Sequence, residues 1–159
     1  MKRIALSVLV LCSLASAASY QVVDSNGKVI GPVIAVMQGG HVTEVAISVN
    51  GQPLIVDVTR VGFQMTNILL FTTPDCTGQA YWDASSSPFP ATVVSGDNKL
   101  YAESGADQAI LVLSALDPVN GCFQDSLPLA DAVPVNQVLD LNVFKTPFKV
   151  RPQTGGNTQ

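Results

Sequence analysis

From Tyr20 onward, apolar and polar residues alternate with a period of two. Val45, Ile47 and Val49 fall on one face while Glu44, Ala46 and Ser48 take the other, and Leu54, Val56 and Val58 alternate with Asp57 and Thr59. Successive side chains of a strand point to opposite faces, so these runs predict two half-buried strands. Asn50-Gly51 between them tolerates the positive φ angles of a type I′ turn and predicts a tight hairpin. Asn26-Gly27 reads the same way, joining Gln21–Asp24 to Lys28–Met37. An antiparallel β-meander is the expected start of the fold.

Ile68-Leu69-Leu70-Phe71 and Ile110-Leu111-Val112-Leu113 are continuous apolar runs, which suit strands covered on both faces and predict the centre of the core. Leu139, Leu141 and Val143 alternate with Asp140 and Asn142 and predict a late strand. Phe148 and Val150 predict a last edge pair bounded by Pro147 and Pro152, since proline cannot donate to a ladder. Turn residues separate the pieces at Thr73-Pro74-Asp75, Ser85 to Pro88, Ser95 to Asn98, Ser104-Gly105 and Pro118 to Gly121. No helix of ten or more residues is expected. Asp125–Asp131 has room for one short helical turn, broken by Pro128. The predicted fold class is all-β: a single antiparallel sandwich or barrel-like domain of short strands and hairpins.

The first residues follow another pattern. Lys2 and Arg3 precede an apolar run from Ile4 to Leu14, and Ala15-Ser16-Ala17 supplies the small side chains that a signal peptidase requires. A bilayer span needs roughly 20 apolar residues, and this run is about half that. The expected layout is a signal peptide over 1–17, one β-domain over 18–151 and a flexible polar tail over 152–159. Cleavage after Ala17 leaves no transmembrane segment and a secreted or periplasmic product.

Removing the leader changes the charge. The chain carries 8 basic and 12 acidic residues, and Lys2 and Arg3 leave with the leader, so 6 cations face 12 anions. Nucleic-acid binding rests on clustered Lys and Arg, and these six are scattered from Lys28 to Arg151. Nucleic acid is therefore not an expected partner.

Of three cysteines, Cys12 lies in the leader, leaving Cys76 and Cys122 as an even pair in an oxidising compartment. They are expected to form one disulfide. Closing its loop of about 46 residues stabilises by on the order of 4 kcal/mol in the chain-entropy model. A metal pair would need further ligands nearby, and neither cysteine has them in sequence.

His41 is the only histidine, three residues before Glu44. On a strand those two point to opposite faces, so they are not read as a ligand set. Asp75, Asp83, Asp97, Asp107, Asp117, Asp125 and Asp131 fall mostly at predicted turns. Paired carboxylates can cleave a glycosidic bond and oxygen-rich loops can hold calcium, but aspartate is also the ordinary turn residue, bonding the backbone two positions on. Tyr81-Trp82-Asp83, with Phe89 after a Ser-Pro loop, is the aromatic cluster that holds the single Trp, and it is the candidate ligand-binding region. Alternation places Tyr81 and Trp82 on opposite faces, which favours core for one of them. No spacing assigns a catalytic residue, a metal site or a cofactor.

The segment Phe71-Thr72-Thr73-Pro74-Asp75-Cys76-Thr77-Gly78-Gln79-Ala80-Tyr81 resembles one found in small secreted bacterial β-rich proteins. In these, a Phe-x-Ser/Thr-x-Asp-Cys-x-Gly-x-x-Tyr pattern follows an Asp-x-Asn-Gly-Lys hairpin, here Asp24 to Lys28. The resemblance implies a disulfide at Cys76 and no activity. The leading functional expectation is an exported, non-enzymatic domain that meets a protein or glycan partner at the envelope or outside the cell. A small-ligand or carbohydrate module using Tyr81, Trp82, Asp83 and Phe89 is the alternative, and a hydrolase using turn carboxylates the third.

Overall fold

The computed structural model describes residues 19–65, 67–85 and 92–153. Its strands are β1 (Tyr20–Val23), β2 (Val29–Met37), β3 (Val42–Val49), β4 (Gln52–Thr59), β5 (Gly62–Phe63) and β6 (Leu69–Phe71). They continue with β7 (Ala80–Asp83), β8 (Thr92–Val94), β9 (Lys99–Glu103), β10 (Gln108–Asp117), β11 (Gly121–Asp140) and β12 (Lys149–Pro152). Two one-turn 3₁₀ segments, Gln38–Gly40 and Leu141–Val143, are the helical pieces among the described residues. One sheet runs β12-β1-β2-β3-β4-β5 and the other β10-β6-β7-β11-β9-β8, with β10 also paired to β11. The fold is all-β and antiparallel, as the alternation predicts.

Local chemistry explains the first sheet. Asn50 and Gly51 adopt φ of 51° and 83°, and their two-residue turn sets Val45 opposite Val56 and Thr43 opposite Val58. At Asn26-Gly27 the turn differs from the expected type I′. Only Gly27 has a positive φ, and Asp24 N–H donates to Lys28 O across 2.9 Å, so the loop is longer. The cause is the Asp24 carboxylate, which accepts from the N–H groups of Asn26 at 2.9 Å and Lys28 at 2.8 Å and fixes an Asx turn. Its other oxygen accepts from Lys145 N–H at 3.1 Å, while Ser25 N–H donates to Lys145 O at 2.8 Å. The hairpin thereby holds the segment that leads into β12.

Two cores follow from the layering. Val22, Val45, Ile47, Val56 and Val58 of the first sheet pack against Val94, Leu100 and Ala102 of β8 and β9. The second sheet curls, since its pairings run β10 to β6 to β7 to β11 and back to β10. Inside that curl Leu69, Phe71, Val133 and Val135 pack with Val93. Adjacent residues of β8 thus serve opposite cores.

Several expected elements are placed differently. Ile110–Leu113 is not covered on both faces: Val112 is buried but Leu111 is 52% exposed, because over this stretch β10 and β11 pair only with each other as a two-stranded ribbon, β6 joining β10 at Ser114–Leu116. Asp125–Asp131 is no helical turn but part of β11, with Pro128 opposite Leu111. The late strand stops at Asp140, whose carboxylate accepts from Asn142 N–H at 2.9 Å and caps a 3₁₀ turn over residues predicted to be extended. Phe148 is buried, and β12 pairs with β1 as the expected edge strand, reaching Pro152. The leader and residues 154–159 of the tail lie outside the described residues.

This layering makes a direct prediction. Leu100→Ala, in the fully buried first core, lowers unfolding free energy by about 2 to 5 kcal/mol, whereas Leu111→Ala costs less than about 1 kcal/mol. Urea melts of the two variants check it, and equal losses would contradict the ribbon's exposure.

Candidate functional site

The predicted disulfide is present. Cys76 and Cys122 are bonded with Cα atoms 5.9 Å apart, within the range such a bridge requires. Cys76 sits in the β6–β7 turn with φ of 56°, and its N–H donates to the Ser114 hydroxyl at 2.9 Å. That hydroxyl in turn donates to Thr73 O at 2.6 Å from a fully buried position in β10. Gly78, with φ of 86°, completes the reversal. Bridge and hydroxyl together pin the corner to the turn end of the β10–β11 hairpin, which is scaffold chemistry.

The aromatic candidates separate. Trp82 stands opposite Val133 and packs into the second core, while Tyr81 lies half-buried on the other face between Leu70 and Pro134. Asp83 is exposed and its carboxylate accepts from Ser85 N–H at 3.0 Å. Phe89 lies outside the described residues. No helix among the described residues is long and apolar enough to cross a membrane.

Several aspartates are engaged with donors close by in sequence. Asp117 accepts from Val119 and Asn120 N–H, Asp125 from Ser126 N–H, and Asp75 from the Thr77 hydroxyl. Among the described residues, no three His, Cys, Asp or Glu side chains gather to hold a metal. Two carboxylates do stand directly opposite each other, Glu44 on β3 and Asp57 on β4. Burial raises the Asp57 carboxyl above its ordinary value. Asp24 goes the other way: burial pushes it up, but the N–H donors of Lys145, Lys28 and Asn26 and the Lys28 charge outweigh this and hold it low.

Two other features are open to partners. Residues 122–131 of β11 pair with β10 along one edge and with no described strand along the other, since pairing to β7 begins at Ala132. This ribbon exposes Leu127 by 49% and Phe123 by 41% beside Leu111. The second feature is a groove of about 530 Å³ at one end of the first sheet. Val22, Thr43, Val58 and Phe148 form its buried floor. His41 from the β2–β3 connection, Arg60 from the β4–β5 turn and Lys149 from β12 rim it. Phe148 N–H donates to Arg60 O at 2.9 Å and its ring meets Phe63 edge-on at 5.1 Å, which holds β12 across the sheet's end. A smaller groove of about 320 Å³ lies beyond, between Phe63, Phe144 and Phe148. Neither groove is lined by Tyr81, Trp82 or Asp83.

The chain matches no protein-family model, no curated protein and no solved structure.

For Asp24, a depressed folded value means its stabilisation is complete above the ordinary 3.8 and is lost as pH falls through the lower folded value. For Asp57, a raised value means that its ionisation opposes folding at neutral pH and that protonation relieves this in acid. Asp57→Asn therefore raises the melting temperature at pH 7 and loses that advantage toward pH 4, whereas Asp24→Asn lowers it at pH 7 and converges on the parent in strong acid. Thermal melts across that range decide both signs. Reducing Cys76–Cys122 costs on the order of 4 kcal/mol, measured by urea unfolding with and without reductant.

Proposed function

We propose that this chain is exported, loses residues 1–17, and works outside the cytoplasm as a non-enzymatic β-domain that associates through the β10–β11 ribbon. The observation that carries this reading is the ribbon's combination of an open strand edge and exposed Leu111, Phe123 and Leu127. An unpaired edge offers its N–H and C=O groups to another strand, and apolar side chains beside it add burial when that strand arrives. Pro128 lacks an N–H, so it removes one donor from the ribbon and narrows which strand fits. The Cys76–Cys122 disulfide supports an oxidising location.

Turn chemistry supports the non-enzymatic part. Asp75, Asp83, Asp117 and Asp125 spend their oxygens on neighbouring donors, the structural use of aspartate rather than a paired-acid arrangement. A second copy of the chain is the partner that every preparation contains, and isologous pairing of one edge with itself is the simplest closed assembly.

Protein recovered from its native host is expected to begin at Ala18 or Ser19 by N-terminal sequencing. A soluble form retaining Met1 to Ala17 would end the export reading. In sedimentation from micromolar to millimolar concentration the exported chain is expected to self-associate, and the double change Phe123→Lys with Leu127→Lys to leave it monomeric. A parent chain that stays monomeric throughout would refute pairing between copies.

A further inference from the structure

We propose that the groove rimmed by His41, Arg60 and Lys149 binds a small amphiphilic carboxylate, an anionic head carried on a short apolar chain. The site lies on the first sheet, away from the β10–β11 ribbon, and does not depend on the association proposed for it. Its charge is what sets it apart. The chain has 12 acidic residues against 8 basic, yet no carboxylate lines this groove, while the only histidine and two of the basic residues do. Among the described residues the Arg60 guanidinium and the Lys149 ammonium have no ion-pair partner; the ion pair that is formed joins Lys99 to Asp97 elsewhere. An anion that approaches an otherwise acidic surface therefore meets its favourable potential here.

The floor selects the rest of the ligand. Val22, Val58 and Phe148 are buried and apolar, and a volume of about 530 Å³ is within the range of small-molecule sites. Thr43 interrupts this floor. It is only 8% exposed, it lines the groove, and its hydroxyl makes no hydrogen bond with the described residues. Among the described residues no buried side-chain oxygen or nitrogen lacks a partner, so this hydroxyl is the solvent-accessible part of a largely buried residue, and it is open to donate to an acceptor in the groove. A carboxylate supplies that acceptor, with charge-assisted hydrogen bonds from the rim.

Other ligand classes fit less well. A divalent cation would need carboxylate or thiolate donors, which the lining lacks, and would meet the Arg60 and Lys149 charges instead. A sugar would use an exposed aromatic face for stacking, and the Phe148 ring is buried. A polyanion would need more cations than Arg60 and Lys149.

The test is an NMR titration of the exported, disulfide-bonded chain at pH 7 with octanoate, and with octanol and inorganic phosphate as comparators. Saturable shifts are expected at the amides of His41, Thr43 and Arg60 with octanoate. Octanol, which lacks the charge, and phosphate, which lacks the apolar chain, are each expected to bind about tenfold more weakly or worse. Arg60→Gln should weaken octanoate about tenfold, because it removes a charge from an exposed side chain. Thr43→Val, which keeps the volume, should weaken it by a smaller factor, with a melt confirming that each variant is folded. Octanol binding as tightly as octanoate, phosphate binding as tightly, an unaffected Arg60→Gln, or shifts that never saturate would each overturn the proposal. Because none of these readouts involves the β10–β11 ribbon, failure here is separable from failure of the association.

Discussion

Val93 and Val94 are neighbours in β8, both fully buried, and they point into different cores. Two-sided burial of this short strand and its partner β9 is the constraint on which the architecture depends. Without it the first sheet and the curled second sheet would share no layer, and each would face water with an apolar surface. Leu100 and Ala102 hold one face of β9 against the first sheet, while Tyr101 packs toward the second core. Strands with both faces covered read as continuous apolar runs. Here that run is only two valines long.

Around this shared layer the polar groups act as fasteners rather than as reactive centres. Asp24 ties the first hairpin to the approach of β12, Asp140 caps the turn that ends β11, and the Ser114 hydroxyl links two neighbouring turn and strand backbones. Each accepts or donates within a folded contact that water would otherwise supply. The Cys76–Cys122 bridge does the same covalently at the turn end of the β10–β11 hairpin. A two-stranded stretch gains from such an anchor, because two strands alone bury little surface.

The larger groove lies at the end of the first sheet, where β12 crosses toward the β4–β5 turn. Its rim side chains come from residues 41, 60 and 149, which only the closure of that sheet brings together. One part of the site was readable beforehand. A two-residue turn at Asn50-Gly51 dictates that Thr43 stands opposite Val58, so a polar residue inside an otherwise apolar stripe was visible in the alternation. Alternation also split Tyr81 and Trp82 across two faces, and the structure packs Trp82 against the second core.

By itself the sequence determined the all-β class, the Asn50-Gly51 hairpin and its register, the edge position of β12 and the pairing of Cys76 with Cys122. These depend on local backbone chemistry, on period-two patterning, or on counting. What only the tertiary structure decided was which apolar runs are central. Leu111 has the composition of a core residue and lies on the ribbon, while the brief Val93-Val94 pair joins both cores. Hydrophobic patterning reports that a residue can be buried, and burial itself is set by which distant strands arrive to cover it. The same holds at Asp140, where continued alternation predicted a strand and a side-chain cap on the backbone of Asn142 won instead.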